Sequence, residues 1–277
     1  MLGVVLALSA SLMWGFADYL GGLQTRTRQV LAVVVISQAS GFVLLAGVVA
    51  GRGVGWPGAE AMLPAAVAGV IGAACIVIFY LALSYGPVSI VAPVLASSAC
   101  IPVVYGLIQG ERPSALQLAG LVATLAGVIL VSWTDGGDHA RGRRGIAFAV
   151  LAAALLGTLL VIFARASEED PYWAPLVLRI FSMGTILTVV LVRRVNVRVD
   201  RRAIWVIALI GMLDVSANLA YSVSTTLQLL SITVVLSSLF PVVTVALARI
   251  HLGERVTRVQ ESGAVLTMLG VLAVAAG

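Results

Sequence analysis

Three groups able to carry charge stand inside otherwise apolar runs of the chain. Asp214 lies near the middle of one run, Arg179 about a turn and a half into another, and Asp18 near the end of the first, four residues after Trp14. An ionisable side chain surrounded by hydrocarbon costs several kcal/mol on most scales, so it is kept only where it is paired or meets water. A carboxyl in such a place is suited to taking up and releasing a proton, or to reading the charge of a solute. Asp214 is the strongest candidate, because Asn218 and Tyr221 follow it at i+4 and i+7 and make one polar stripe on a helix. Arg179 is the natural counter-charge, either orienting the acid or only locking two helices together. Asp18 admits a second reading, an interfacial carboxylate near Arg26 and Arg28.

Other polar groups join these. Pro93 and Pro102 interrupt the fourth apolar run and Pro241 the ninth. Each proline removes a backbone hydrogen bond and frees the carbonyl four residues earlier, at Ser89, Ser98 and Ser237. Freed carbonyls beside the hydroxyls of Ser98 and Ser237 form a polar lining, or a kink that those hydroxyls satisfy again. Trp14, Tyr80 and Tyr105 offer an aromatic surface for a solute.

The elements that carry these residues must be lipid-embedded helices. The 277 residues are 61% hydrophobic and 10% charged, with a mean hydropathy of +1.10, whereas a soluble domain carries about a quarter charged residues. A bilayer core about 30 Å thick needs roughly 20 apolar residues per helix, and backbone groups in lipid must be bonded within the span. Ten such runs are expected, at 2–21, 30–50, 61–85, 87–109, 115–133, 145–165, 172–192, 203–225, 229–250 and 258–276, giving an all-α polytopic membrane protein. The first run lacks preceding basic residues and reads as an uncleaved span. Cys75 and Cys100 fall inside apolar runs and read as packing residues.

The chain also repeats itself. Gly110 to Val131 aligns without a gap to Gly253 to Val274 with ten of 22 positions identical, among them Glu111/Glu254, Gly120/Gly263 and Gly127/Gly270. Ser114-x-x-Gln117 and Thr257-x-x-Gln260 read as capping boxes, and the glycines seven apart as a close-packing face. The repeat is thus expected to build the same peripheral corner twice. Upstream, Gly3, Ala7, Ala10 and Gly15 align with Gly145, Ala149, Ala152 and Gly157. The organisation is a five-helix unit at 1–134, a polar linker at 135–144 and a second unit at 145–277. Five is odd, so the second unit enters the membrane from the opposite side, as inverted repeats do in many transporters. Spans one, three, four, six, eight and nine are expected to line a midplane cavity.

Nothing in the sequence implies a cofactor or metal: it holds no P-loop, metal-ligand cluster or Gly-x-Ser-x-Gly, and His139 and His251 fall outside the spans. An enzyme on lipid-linked substrates would need interfacial catalytic groups, and Asp135, Asp138 and His139 or Glu168, Glu169 and Asp170 read better as solvated turns. A non-transporting scaffold subunit is the other alternative.

Trp14-Gly15-Phe16 in the first span, Pro241 followed twelve residues later by Gly253-Glu254, and the capped helix beyond resemble the EamA domain. Two such units resemble the ten-span drug/metabolite transporter superfamily. The resemblance implies an inner-membrane permease, often an exporter of amino acids, metabolites or drugs, with a central cavity and a small-molecule solute as its partner. Two departures stand out: Trp14 aligns with Leu156, and Pro241 with Ser98. The charge pattern is a third. All seventeen basic residues are arginine, with thirteen in the loops on one side of the membrane and only Arg52, Arg112 and Arg165 on the other. The positive-inside rule then puts both termini outside, whereas the familiar members of the superfamily have them inside. The arginines mark orientation and not a nucleic-acid surface. Without a nucleotide site, a proton or solute gradient would supply the energy; ten spans suffice for a monomer.

Overall fold

The computed structural model describes residues 2–53, 55–101, 105, 114–131, 139–227, 236–237, 239–252 and 257–276. Among them are ten α-helices: α1 Leu2–Thr25, α2 Val30–Arg52, α3 Ala59–Tyr85, α4 Val88–Ala96, α5 Ala115–Val131, α6 His139–Glu169, α7 Trp173–Arg193, α8 Arg201–Leu227, α9 Phe240–Leu252 and α10 Arg258–Ala276. Six of these (α1, α2, α3, α6, α7 and α8) are long and apolar enough to cross a bilayer, and α5, α9 and α10 carry shorter apolar stretches. A 3-10 turn at Ser97–Ala99 follows α4. Pro102, Glu111 and Glu254 lie outside the described residues, as does the expected boundary at Gln228–Leu229.

The molecule is turned inside out relative to a soluble bundle. Its outer faces carry Val43, Leu63, Val122, Ile129, Leu191 and Trp205, all more than half exposed, while Ala7, Ala10, Ala65, Ala68, Ala82, Ala149 and Ala152 are fully buried. Lipid gives no hydrophobic drive for helices to associate, so small residues that bring backbones close must do the packing. Three pairs of helix crossings show it. At α5 on α10, a Cβ on Gly127 would lie 2.5 Å from the amide nitrogen of Thr267, and a Cβ on Gly270 would lie 2.5 Å from that of Thr124. In each helix the threonine hydroxyl turns back to a carbonyl, Thr124 to Gly120 at 2.8 Å and Thr267 to Gly263 at 2.9 Å. The repeated sequence therefore does not make two peripheral corners. Its two copies face one another in a single seam, because a helix with glycines every seven residues fits best against a helix of the same kind.

The other crossings also come in matched form. Gly15 of α1 abuts Val243 and the Phe240 carbonyl, and Gly157 of α6 abuts Ile101 and the Ser98 carbonyl. Gly211 of α8 abuts the backbone at Ser37 of α2, and Gly69 of α3 abuts the backbone at Leu178 and Ser182 of α7. Thus α3 packs on α6 and α7 as α8 packs on α1 and α2, while α5 meets α10 and α2 meets α7.

Ends follow local chemistry. Ser114 and Gln117 form the expected capping box, with Gln117 N donating to Ser114 Oγ (3.1 Å) and Ser114 N to Gln117 Oε1 (2.9 Å). Ahead of α10, Thr257 supplies the carbonyl for Glu261 N (2.9 Å), and the Gln260 side chain lies outside the described residues. Gly53 ends α2 in the left-handed region, φ 62°, where a Cβ is unfavourable. Residues 139–144, expected in a linker, are instead the first turns of α6, since alanine and arginine are strong helix formers. At 31 residues α6 is about 46 Å long, well beyond the hydrocarbon core. Asp200 precedes α8, accepting from Ala203 N (3.1 Å) and, through Oδ1, from Arg28 Nη2 (2.9 Å). The Arg28 hydrogen bond first, then the Ala203 amide, hold its carboxyl below the usual range, and the group stands in open solvent.

The seam is the tightest part of this packing. Gly270→Val and Gly127→Val are each expected to cost about 1–3 kcal/mol through overpacking, read as a lower thermal midpoint of the detergent-solubilised chain. Gly47→Ala, where an added methyl meets nothing within 4 Å, is expected to be neutral or to gain up to about 1 kcal/mol from helix propensity. Equal midpoints for Gly270→Val and the native chain would refute the close approach.

Candidate functional site

Arg179 and Asp214 meet. Asp170 starts α7 by accepting the amides of Tyr172 and Trp173 through Oδ1, both at 2.8 Å, which fixes the register that places Arg179 on the inner face. Close contact at Gly211 and Gly41 draws α2 against α8, secured by Ser40 Oγ donating to the Ala208 carbonyl at 2.9 Å. That contact brings Gln38 of α2 and Asp214 of α8 to one point.

At that point Arg179 Nη2 donates to Asp214 Oδ2 and Nη1 to Gln38 Oε1. Gln38 Nε2 continues the chain to Ser182 Oγ at 3.0 Å. Asn218 Nδ2 reaches the Asp214 carbonyl at 2.7 Å and Oδ1 at 3.3 Å. The arginine side chain is 7% exposed, whereas that of Asp214 keeps 32%. The pair is therefore enclosed on the guanidinium side and open on the carboxylate side. Arg179 Nε is buried with no hydrogen-bond partner among the described residues.

Span two was not expected to contribute, and it supplies Gln38. The signal was present as an amide midway along an apolar run, muted because a neutral amide costs less in lipid than a charge. Span seven likewise adds Ser182 beside Arg179. The groups linked to Asp214 thus come from α2 and α7.

Because α1 continues to Thr25, Asp18 sits two turns before its end. It lies within electrostatic reach of Asp214. Tyr80 is buried with its hydroxyl against Gly21 of α1. Trp14 stacks at a tilt on Tyr221, centroids 5.7 Å apart, and meets Phe240 edge-on at 6.1 Å. Phe240 is a second residue that periodicity did not single out. Tyr105 stands apart: its hydroxyl accepts from Arg165 Nη2 at 2.8 Å near the end of α6.

The helix breaks are paired. Pro93 sits within α4, which gives way to the 3-10 turn at Ser97–Ala99, while Leu239 makes a turn and α9 starts at Phe240 with Pro241 in its first turn. A proline there sacrifices no helical bond. Ser98 and Ser237 are buried at the two breaks. Thr244 Oγ1 satisfies two carbonyls, Phe240 at 3.1 Å and Gly15 at 3.2 Å, which explains why Gly15 follows Trp14: only a glycine admits the broken α9 so near.

Chemically, the site offers one enclosed cation, one accessible carboxylate opposed to it, a second carboxylate within its field and a mixed aromatic wall. Removing one partner from a buried ion pair leaves the other uncompensated. Asp214→Ala is thus expected to lower stability by about 3 kcal/mol, the low end for such pairs since Asp214 is partly exposed. The double change Arg179→Met with Asp214→Leu should recover most of it in thermal unfolding. An Asp214→Ala chain that melts with the native one would show the pair to be idle.

Comparison with known proteins agrees with this architecture. A solved crystal structure matches over 98% of this chain and 95% of its own with a TM-score of 0.66 and 17% identity, a likeness of fold; nineteen chains of solved structures match in all. No curated protein matches the chain. The model of the EamA-like transporter family matches twice, over residues 1–133 and 143–276. The chain is a multi-pass membrane protein and belongs to the EamA-like transporter family.

Proposed function

We propose that the protein is a ten-span secondary transporter in which two inverted five-helix halves rock about the Arg179–Asp214 site. The observation that carries this is the site itself: a charged pair held by α2, α7 and α8, with Gln38 from the first half and Arg179 and Asp214 from the second. The Arg179–Gln38 hydrogen bond crosses between the halves, and a ligand or proton that takes Asp214 from Arg179 can shift which arrangement that bond holds.

The matched glycine contacts support the inverted arrangement. Gly127/Gly270, Gly15/Gly157 and Gly69/Gly211 make equivalent approaches with the halves exchanged, as a two-fold relation requires. The paired breaks beside Ser98 and Ser237 support a site between the halves. A solute that displaces Asp214 from the guanidinium would need an acceptor group, a carboxylate first. Asp214, less enclosed than its partner, is the group that exchanges a proton or meets the solute, and Asn218, Tyr221 and Trp14 shape the solute's surroundings. Export of a metabolite, amino acid or drug-like solute across the cytoplasmic membrane, by one chain acting alone, is the assignment.

The arginine-rich loops belong to the cytoplasm in this reading, and both termini lie outside. Arg28, Arg249 and Arg258 stand on that side, two of them in surface pairs with Asp200 and Glu261.

Proteoliposomes loaded with a pH-sensitive dye report proton movement when amino acids and small metabolites are added singly. The native protein is expected to move protons with at least one of them, and Asp214→Asn to do so more than about tenfold more slowly, as expected when a positioned proton-transfer group is lost. Native rates in Asp214→Asn would remove the acid from the mechanism. An alkaline phosphatase fused after Gly277 is expected to be active in the periplasm; a silent fusion would reverse the orientation.

A further inference from the structure

On the face of α8 opposite Asp214, an apolar groove of about 360 Å³ opens between α1, α2 and α8. The exposed stripe Trp205, Leu209 and Met212 continues at helical spacing into Ser216, Leu219 and Val223, which floor the groove. The groove therefore faces lipid and not the solute site. Leu44 and Val48 of α2 form one wall and Leu6 of α1 closes the other.

Its mouth is chemically different. Arg52, the last residue of α2, stands there with its guanidinium carbon 4.0 Å from the centre of the Tyr172 ring. Among the described residues no carboxylate pairs with Arg52. Next to it Trp56 and Trp173 meet edge-on at 4.9 Å, aromatics of the kind that mark headgroup level. From Arg52 to Leu44 is eight residues, about 12 Å of helix, against about 15 Å for one leaflet's hydrocarbon.

We propose that this groove is a binding site for one anionic phospholipid, its phosphate against Arg52 and one acyl chain lying along Val48, Leu44 and Leu219. The cation at headgroup level, held by Tyr172 rather than by a carboxylate, supplies complementarity for the phosphate and net negative charge. The leaflet-deep apolar channel below it supplies the chain's surroundings. A zwitterionic lipid fits the channel equally but gains less at the mouth, because its own ammonium offsets the phosphate.

The full-length protein in detergent, mixed with phosphatidylglycerol or phosphatidylcholine of identical chains, is examined by native mass spectrometry for retained lipid. The native protein is expected to keep one phosphatidylglycerol with about tenfold preference over phosphatidylcholine, a difference of about 1.4 kcal/mol. Arg52→Gln is expected to lose the preference while still taking up either lipid weakly, and Arg52→Lys to keep most of it. Val48→Phe, which fills the channel, is expected to lower retention of both lipids at least fivefold. Arg165→Gln, a change at another arginine expected on the same side, should behave as the native chain. An undiminished preference in Arg52→Gln, or native retention in Val48→Phe, overturns the site. The thermal midpoint of each variant without added lipid is recorded alongside, and a fall of more than a few degrees calls for Arg52→Lys and Leu44→Phe as the deciding pair.

Discussion

A guanidinium enclosed among apolar helices is the demand that the rest of this structure answers. The Arg179 side chain is 7% exposed, so the charge has to be met in place. Two elements converge to meet it, α8 with Asp214 and α2 with Gln38, whose amide Ser182 of α7 holds in turn. The backbone contacts at Gly41 and Gly211 become intelligible as the means of bringing α2 and α8 within reach, since any side chain at those positions would hold the helices apart. Here the energetics of one ion dictate where glycine must stand.

The two halves share their packing but not their polar chemistry. Glycine contacts recur in both, and the α5–α10 seam is its own mirror in this sense. The charges have no such counterpart: through the Gly69/Gly211 match, the acid of α8 stands where α3 has Gly72 and Arg179 of α7 where α2 has the neutral Gln38. Packing is a property of backbone approach, which tolerates few residue types, whereas a site needs only one copy of each group. Divergence after duplication is thus free to act on the polar positions and is resisted at the glycines.

Much of this could be read from the chain before any coordinates. Hydrocarbon-length apolar runs fixed the helical class, and the expense of intramembrane charge picked out Arg179 and Asp214 and their pairing. The Ser114–Gln117 cap followed from spacing alone. What escaped reading depended on how helices lie against each other. Gln38 looked like one more polar residue until α2 crossed α7, and Phe240 like one more apolar residue until α9 broke beside Trp14. Asp18 was ambiguous because a helix end is uncertain by a turn, and α1 runs one turn beyond the apolar run, to Thr25. Tyr105 went the other way, toward Arg165. The repeat was legible as duplication, but that its two copies face each other is a fact of three dimensions.

The opposed charges at the centre also bear on how the protein experiences the membrane potential. A guanidinium and a carboxylate side by side sum to zero, so a voltage across the bilayer exerts torque on the pair but almost no net pull. Neutralising the acid would leave a full positive charge, on which each 100 mV across the whole membrane does about 2.3 kcal/mol of work. The same enclosure that conceals Arg179 from water would then make the unpaired protein an electrical object, and a ligand's formal charge would decide whether the cell's resting potential helps or hinders it.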